Sequence, residues 1–151
     1  HEFGYRPFPG AQMDVLIALS NEILARYDIP PANVVGHSDI APERKQDPGE
    51  LFDWARLARA GIGIWPHGPG EPTGSAPALK KGARGDGVRA FQKNLFDFGY
   101  GLYVDGHYGE ESEAIVRAFQ RHFRQARIDG IADGATRAIL EHLLKQTTLS
   151  A

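Results

Sequence analysis

The sequence predicts a chain of two parts. Residues 1–66 read as an α/β segment, residues 67–78 as a linker, and residues 79–151 as a small all-α domain of three helices. Three observations carry this. A helical pattern over residues 12–27 is followed by the short β-branched run Val34-Val35-Gly36. Residues 65–77 (WPHGPGEPTGSAP) are then rich in Gly, Pro and Ser, which leaves little to bury and favours a semi-extended connector. Beyond it, Val88-Arg89-Ala90-Phe91-Gln92 recurs as Val116-Arg117-Ala118-Phe119-Gln120, which marks an internal repeat.

Residues 1–10 read as extended chain fixed by Pro7 and Pro9, with Phe3, Tyr5 and Phe8 available for packing. In the first helix Leu16, Leu19, Ile23 and Tyr27 recur at three- and four-residue spacing and predict the inward face. Pro30 and Pro31 stop it, because proline cannot continue the hydrogen-bond ladder. Residues 33–36 then read as a short buried strand with His37 at its end, where loops of α/β folds carry chemistry. Residues 51–60 read as a further helix, with Phe52 or Trp54, Leu57 and Ala58 inward and Arg56 and Arg59 outward. In the linker, His67 has no partner at metal-ligand spacing and reads as solvent-exposed.

The repeated segment predicts helices at 86–98, 110–123 and 133–146. A second echo pairs Asp105-Gly106 and the helix after it with Asp129-Gly130 and the helix after that, so each unit is a tight turn followed by an amphipathic helix. Val88, Phe91, Leu95, Ile115, Phe119, Ile139 and Leu143 are the predicted core. Gly99, Gly106, Gly109 and Gly130 mark positions expected to need positive φ or close backbone approach.

Composition narrows the function. Of 151 residues, 42% are hydrophobic and the formal net charge is -2, as in a globular chain. That charge, with scattered basic residues, argues against nucleic acid as a partner. Cysteine is absent, which excludes disulfides and thiolate metal sites. No apolar run approaches the roughly 20 residues that span a bilayer. The first residues, His1-Glu2-Phe3-Gly4, form neither a signal peptide nor a usual start, so the expectation is the middle of a longer protein.

Chemistry concentrates in Val34-Val35-Gly36-His37-Ser38-Asp39-Ile40-Ala41-Pro42-Glu43-Arg44-Lys45-Gln46-Asp47-Pro48-Gly49. A neutral imidazole and a carboxylate are ordinary ligands for a catalytic zinc. A nearby ammonium can hold the charge that develops on a carbonyl oxygen during hydrolysis. Each residue has a bland reading as well. Taken alone, a histidine such as His37 is more often a hydrogen-bonded structural residue, and a lysine such as Lys45 is most often a solvated charge. Asp47-Pro48-Gly49-Glu50 has the form of a helix N-cap, with Pro at N1 and Glu at N3. Asp39 is assigned no role beyond its own loop.

As a whole the run closely resembles the zinc-binding segment of the AmpD/AmiD-type N-acetylmuramoyl-L-alanine amidases, through His-Ser-Asp-Ile-Ala-Pro, Arg-Lys, Asp-Pro-Gly and the following Leu51, Phe52 and Trp54. The resemblance continues to Ile64-Trp65-Pro66. It implies that His37 and Asp47 are zinc ligands and that Lys45 stabilises the tetrahedral oxyanion. The pattern from Leu79 through Gly82, Gly85, Val88, Phe91-Gln92, Gly99-Tyr100, Asp105-Gly106, Tyr108-Gly109 and Phe119-Gln120 is similar to the peptidoglycan-binding domain appended to wall hydrolases. That implies a module concentrating substrate for a tethered enzyme. Tyr100 and Tyr103 are the candidate substrate contacts; Asp105 and Tyr108 in the same region read as structural.

Together these resemblances imply zinc-dependent hydrolysis of the bond between N-acetylmuramic acid and L-alanine in peptidoglycan, in the cell envelope and specifically the periplasm. The family pattern also needs a second zinc-binding His and a Glu general base, and neither is found upstream of His37; His1 and Glu2 match neither motif. About 65 residues of amidase-like chain are also few for an independent core. The expectation is the C-terminal part of an amidase, completed by an N-terminal portion in the same chain or a separate one. Two other classes compete: a non-catalytic peptidoglycan-binding fragment, and a zinc peptidase acting on the stem peptide.

Overall fold

A computed structural model describes residues 5–66 and 77–149. The linker expectation for 67–76, including His67, lies outside the described residues. Within them the chain forms α1 (Gly10–Leu24), α2 (His37–Ile40), α3 (Trp54–Arg59), α4 (Asp86–Phe98), α5 (Glu110–Phe123) and α6 (Gly134–Leu149).

Helix α1 starts after Pro9, whose carbonyl accepts from the Gln12 and Met13 N–H groups. Its inward residues are Met13, which is buried, with Leu16, Ile17 and Leu24 packed behind it. The expected face is therefore rotated. Leu16 packs inward, but Leu19, Ile23 and Tyr27 are 52%, 41% and 63% exposed, and Val15 joins them at 69%. The helix carries apolar residues on two sides, and the described residues cover one of them.

The strand expected at 33–36 is absent. Pro31–Asn33 is a 3-10 turn, and His37 opens the single-turn α2 instead of ending a strand. Val34 is extended, but a strand needs a neighbour to pair with, and the β-pairing among the described residues is confined to isolated bridges elsewhere, Leu79 with Ala132 and Arg84 with His107. The α/β class is thus not met within the described residues, which are helical.

Helix α3 is capped by Asp53, whose Oδ1 accepts from the Arg56 N–H at 2.9 Å. The Asp47-Pro48-Gly49-Glu50 segment is therefore not its N-cap, and Asp47 is left for other work. The peptide bond between Asp47 and Pro48 is cis.

The three C-terminal helices lie where the sequence places them, except that the last starts at Gly134 and continues to Leu149. All seven predicted core residues are buried. The repeat has a physical basis in two buried glutamines. Gln92 Nε2 donates to Asp105 Oδ1, the His107 carbonyl and Ser112 Oγ, while its Oε1 accepts from the Gly106 N–H. Gln120 does the same one unit later. Its Nε2 donates to Asp129 Oδ1, the Ile131 carbonyl and Thr136 Oγ1, and its Oε1 accepts from the N–H groups of Asp129 and Gly130. Each helix thus holds the Asp-Gly turn that leads into the next. Gly106 and Gly130 sit at φ 77° and 72°, as a tight turn requires, whereas Gly109, at φ -90°, does not need glycine's freedom. Tyr108 is buried, and its hydroxyl donates to the Gly130 carbonyl at 2.8 Å, joining the first turn to the second.

Two apolar cores result among the described residues. One gathers fifteen buried residues from α4, α5, α6 and their turns. The other has five: Met13, Phe52, Trp54, Leu57 and Ile62. Trp65 packs against both. The halves also meet through Trp54, stacked on His122 with ring centroids 3.8 Å apart, and through Gln125 Nε2, which donates to the Phe52 carbonyl at 2.6 Å.

Candidate metal centre

The loop of chemical interest is folded back on itself. Gly36 N–H is taken by Asp39 Oδ2 at 2.8 Å, a carboxylate at N3 reaching back to close the first turn of α2. The Ala41 carbonyl then accepts from the N–H groups of Arg44 and Lys45, turning the chain round. On the return, the Asp47 carbonyl accepts from the Ser38 N–H at 3.0 Å, which pins the Asp47 segment against α2. Close approach is possible because Gly36 has no side chain: a Cβ there would lie 2.6 Å from Pro48 Cδ.

This places His37 Nδ1 2.5 Å from Asp47 Oδ2. The two side chains are 74% and 58% exposed, so the pair faces outward rather than into the core. The hydrogen bond to His37 holds the Asp47 carboxyl below its ordinary range, and the charges of His37 and Lys45 act in the same direction. Asp47 is therefore a carboxylate at neutral pH. Lys45, two residues away, is exposed. Beside Asp47 lies a cleft of ≈ 400 Å³ lined by Tyr5, Gln46, Asp47, Pro48, Gly49 and Glu50. The Tyr5 hydroxyl sits over Gly49 and accepts from the Leu51 N–H at 3.4 Å.

An imidazole nitrogen and an ionised carboxylate, converging and exposed, fit two positions of a zinc site. A catalytic zinc takes three protein ligands. Among the described residues no group of three His, Cys, Asp or Glu side chains is arranged to hold a metal.

The two tyrosines part company. Tyr103 is 78% exposed, with its backbone N–H on Glu111 Oε2. Tyr100 is 6% exposed, which corrects the expectation of a surface contact. Its hydroxyl donates to Asp39 Oδ1 at 2.7 Å, and burial together with the Asp39 carboxylate pushes its pKa well above the ordinary value, so it stays a neutral donor. Asp39 also receives His122 Nδ1 at 2.9 Å and is itself buried. Sequence reasoning gave Asp39 no role. Its place at N3 after Gly36 signals the turn, but nothing local signals that its other partners lie 61 and 83 residues away. Asp105 is structural, as read: its Oδ1 accepts from Gln92 and from the His107 N–H.

Residues 1–50 match the N-acetylmuramoyl-L-alanine amidase family and residues 84–140 a peptidoglycan-binding domain. By these two matches the chain is similar to an amidase-family segment followed by a peptidoglycan-binding domain. It is 40% identical to the N-acetylmuramoyl-L-alanine amidase AmiD of Escherichia coli over 94% of its own length and 50% of that protein. It is similar in structure to AmiD solved in complex with the substrate anhydro-N-acetylmuramic acid-L-Ala-D-gamma-Glu-L-Lys. That match has a TM-score of 0.78 at 41% identity and covers 93% of this chain and 53% of AmiD's. AmpDh3 of Pseudomonas aeruginosa, solved in complex with anhydromuramic pentapeptide, matches at TM-score 0.72 and 33% identity, over 95% of this chain and 55% of its own. The chain therefore spans about half the length of these relatives.

Proposed function

We propose that this chain supplies the peptidoglycan-binding domain and two zinc ligands of an N-acetylmuramoyl-L-alanine amidase acting in the cell envelope. The observation that carries the proposal is the convergence of His37 Nδ1 and Asp47 Oδ2 at 2.5 Å, with Lys45 beside them, in a chain whose other half matches a peptidoglycan-binding domain. His37 and Asp47 would hold the zinc, which when bound would supply Lewis-acid activation of water and of the amide carbonyl. Asp47, kept ionised by His37, and the His37 ring are the ligands. Lys45 places an ammonium where negative charge develops on the carbonyl oxygen. Tyr103 offers an exposed aromatic face to sugar or peptide on the wall.

The third ligand and the general base belong to a further portion of the enzyme, in the same chain or a partner. The exposed stripe of Val15, Leu19 and Ile23 on α1 supports this, because an apolar face of this kind needs cover. The strands of an α/β catalytic domain fall to that portion too. Likeness to amidases that act on peptidoglycan supports a place in the cell envelope, which we read as the periplasm.

Native mass spectrometry with added zinc tests this, followed by digestion of peptidoglycan by the same material. A heavier species containing zinc, with release of intact stem peptides, supports the amidase. Shortened peptides support a zinc peptidase. Pull-down of wall without zinc or cleavage supports the competing reading, a non-catalytic binding fragment, which the two-ligand set among the described residues favours.

A further inference from the structure

We infer that the peptidoglycan-binding domain positions the catalytic loop as well as tethering it, through Tyr100 and His122 acting on Asp39. The inference rests on the amidase reading for its meaning but not for its test. Asp39 is the one acid in the 36–49 loop with a side chain only 5% exposed. A buried carboxylate is stable there only if its oxygens are satisfied. Its own loop supplies a single donor, the Gly36 N–H. The other two come from the opposite domain: the Tyr100 hydroxyl, just after α4, and His122 Nδ1, near the end of α5. The His122 ring is in turn fixed by stacking on Trp54 at 3.8 Å.

The consequence runs back along the chain. Asp39 holds the Gly36 N–H, Gly36 fixes where His37 starts α2, and Ser38 N–H holds the Asp47 carbonyl. Loss of either distant donor leaves Asp39 under-satisfied where its side chain is buried. The relaxation open to it is to turn toward water, and that movement releases Gly36 and separates the two loop segments. Tyr100 and His122 are therefore positioning residues for His37 and Asp47. A domain that served only as a tether would have no need of them.

Amide hydrogen exchange on the chain, native and substituted, tests this. Tyr100→Phe removes one oxygen and keeps the ring. His122→Ala removes donor and ring, and His122→Asn restores an N–H close to the Nδ1 position. Exchange at Gly36 and Ser38 is expected to quicken roughly tenfold or more in Tyr100→Phe and His122→Ala, since a hydrogen bond to a charged group is lost in each. Amides of α4–α6 should keep their protection, wall pull-down should not change, and His122→Asn should restore much of the protection at Gly36. Unfolding of α4–α6 in His122→Ala would remove that variant from consideration and leave Tyr100→Phe to decide. Unchanged exchange at Gly36 and Ser38 in Tyr100→Phe overturns the inference. Hydrolysis does not enter the readout, so a chain that proves to have no amidase activity leaves this result standing.

Discussion

Replacing Gln120 by leucine should be among the most damaging single changes in the peptidoglycan-binding domain, although the two side chains are close in volume. Gln120 is fully buried. Its amide satisfies the N–H groups of Asp129 and Gly130 and the Ile131 carbonyl, besides Asp129 Oδ1 and Thr136 Oγ1. Leucine leaves those two backbone donors and one backbone acceptor without their partner. Asp129 Oδ1 keeps the Ile131 N–H, and Thr136 Oγ1 keeps Arg124, so these two lose less. An orphaned buried polar group costs about 1–3 kcal/mol. Of these three backbone groups the Gly130 N–H alone makes a fully buried bond, while the Asp129 and Ile131 groups have partial access to water. The sum should therefore fall near 3–5 kcal/mol, a large share of the ~5–15 kcal/mol that holds a domain folded. Urea unfolding followed by far-ultraviolet circular dichroism measures it. Gln92→Leu should behave alike, because it breaks the equivalent set around Gly106. A loss below about 0.5 kcal/mol in Gln120→Leu, the range of ordinary surface changes, would refute the view that the glutamines hold the turns.

Gly130→Ala should destabilise by more than about 1 kcal/mol in the same assay, since its φ is +72° and a Cβ would lie 2.7 Å from Glu113 Cγ. Partial burial opposes ionisation of Asp129, but the Ile131 N–H, Arg127 and Gln120 outweigh it and hold the carboxyl at about 2. Because that lies below the ordinary 3.8, its contribution to stability is present above about pH 3.8 and lost as pH falls through about 2. Asp129→Asn should flatten that part of a stability-against-pH curve. Under the amidase reading, Lys45→Ala should lower kcat by roughly 10²–10³ without changing zinc content, the signature of a group that acts on developing charge. Leu19→Ser, at a position 52% exposed, should change the chain's own stability by less than about 0.5 kcal/mol yet weaken its association with the rest of a catalytic domain, read by native mass spectrometry.

What the sequence made legible is what short-range spacing encodes. The helices α4 and α5 match the expected bounds because each has one apolar stripe at three- and four-residue intervals, with no Pro inside and Gly only at the second position of α4, and is closed by Gly99 or followed by a turn. The His37 and Asp47 pairing was legible only as a resemblance, and the structure supplies the reason for it in the Ser38 to Asp47 bond that folds the loop. Residues 33–36 were misread because β-branched residues favour extension but cannot supply the neighbouring strand that makes a sheet. Helix α1 was misread for a related reason. With apolar residues on two sides, periodicity alone cannot say which side the described core covers, and Met13 settles it. Tyr100 was misplaced because its partner lies 61 residues earlier, beyond anything a local pattern reports.

The two cores are unequal, and that inequality sets the direction of dependence between the halves. The C-terminal helices close a core of fifteen buried residues, within which the buried glutamines are satisfied by the domain's own turns. Among its described residues the N-terminal half has five buried apolar ones, and one of them, Trp54, stacks on His122 of the other domain. The buried carboxylate of Asp39 takes two of its three hydrogen bonds from that domain as well. Small cores are marginal, so contacts across the boundary weigh more for the smaller partner than for the larger. The loop that carries His37 and Asp47 therefore leans on the C-terminal domain through Asp39. A wall-binding module attached by a linker alone could be exchanged for any other. One that satisfies a buried acid two residues from His37 cannot be exchanged without disturbing that loop.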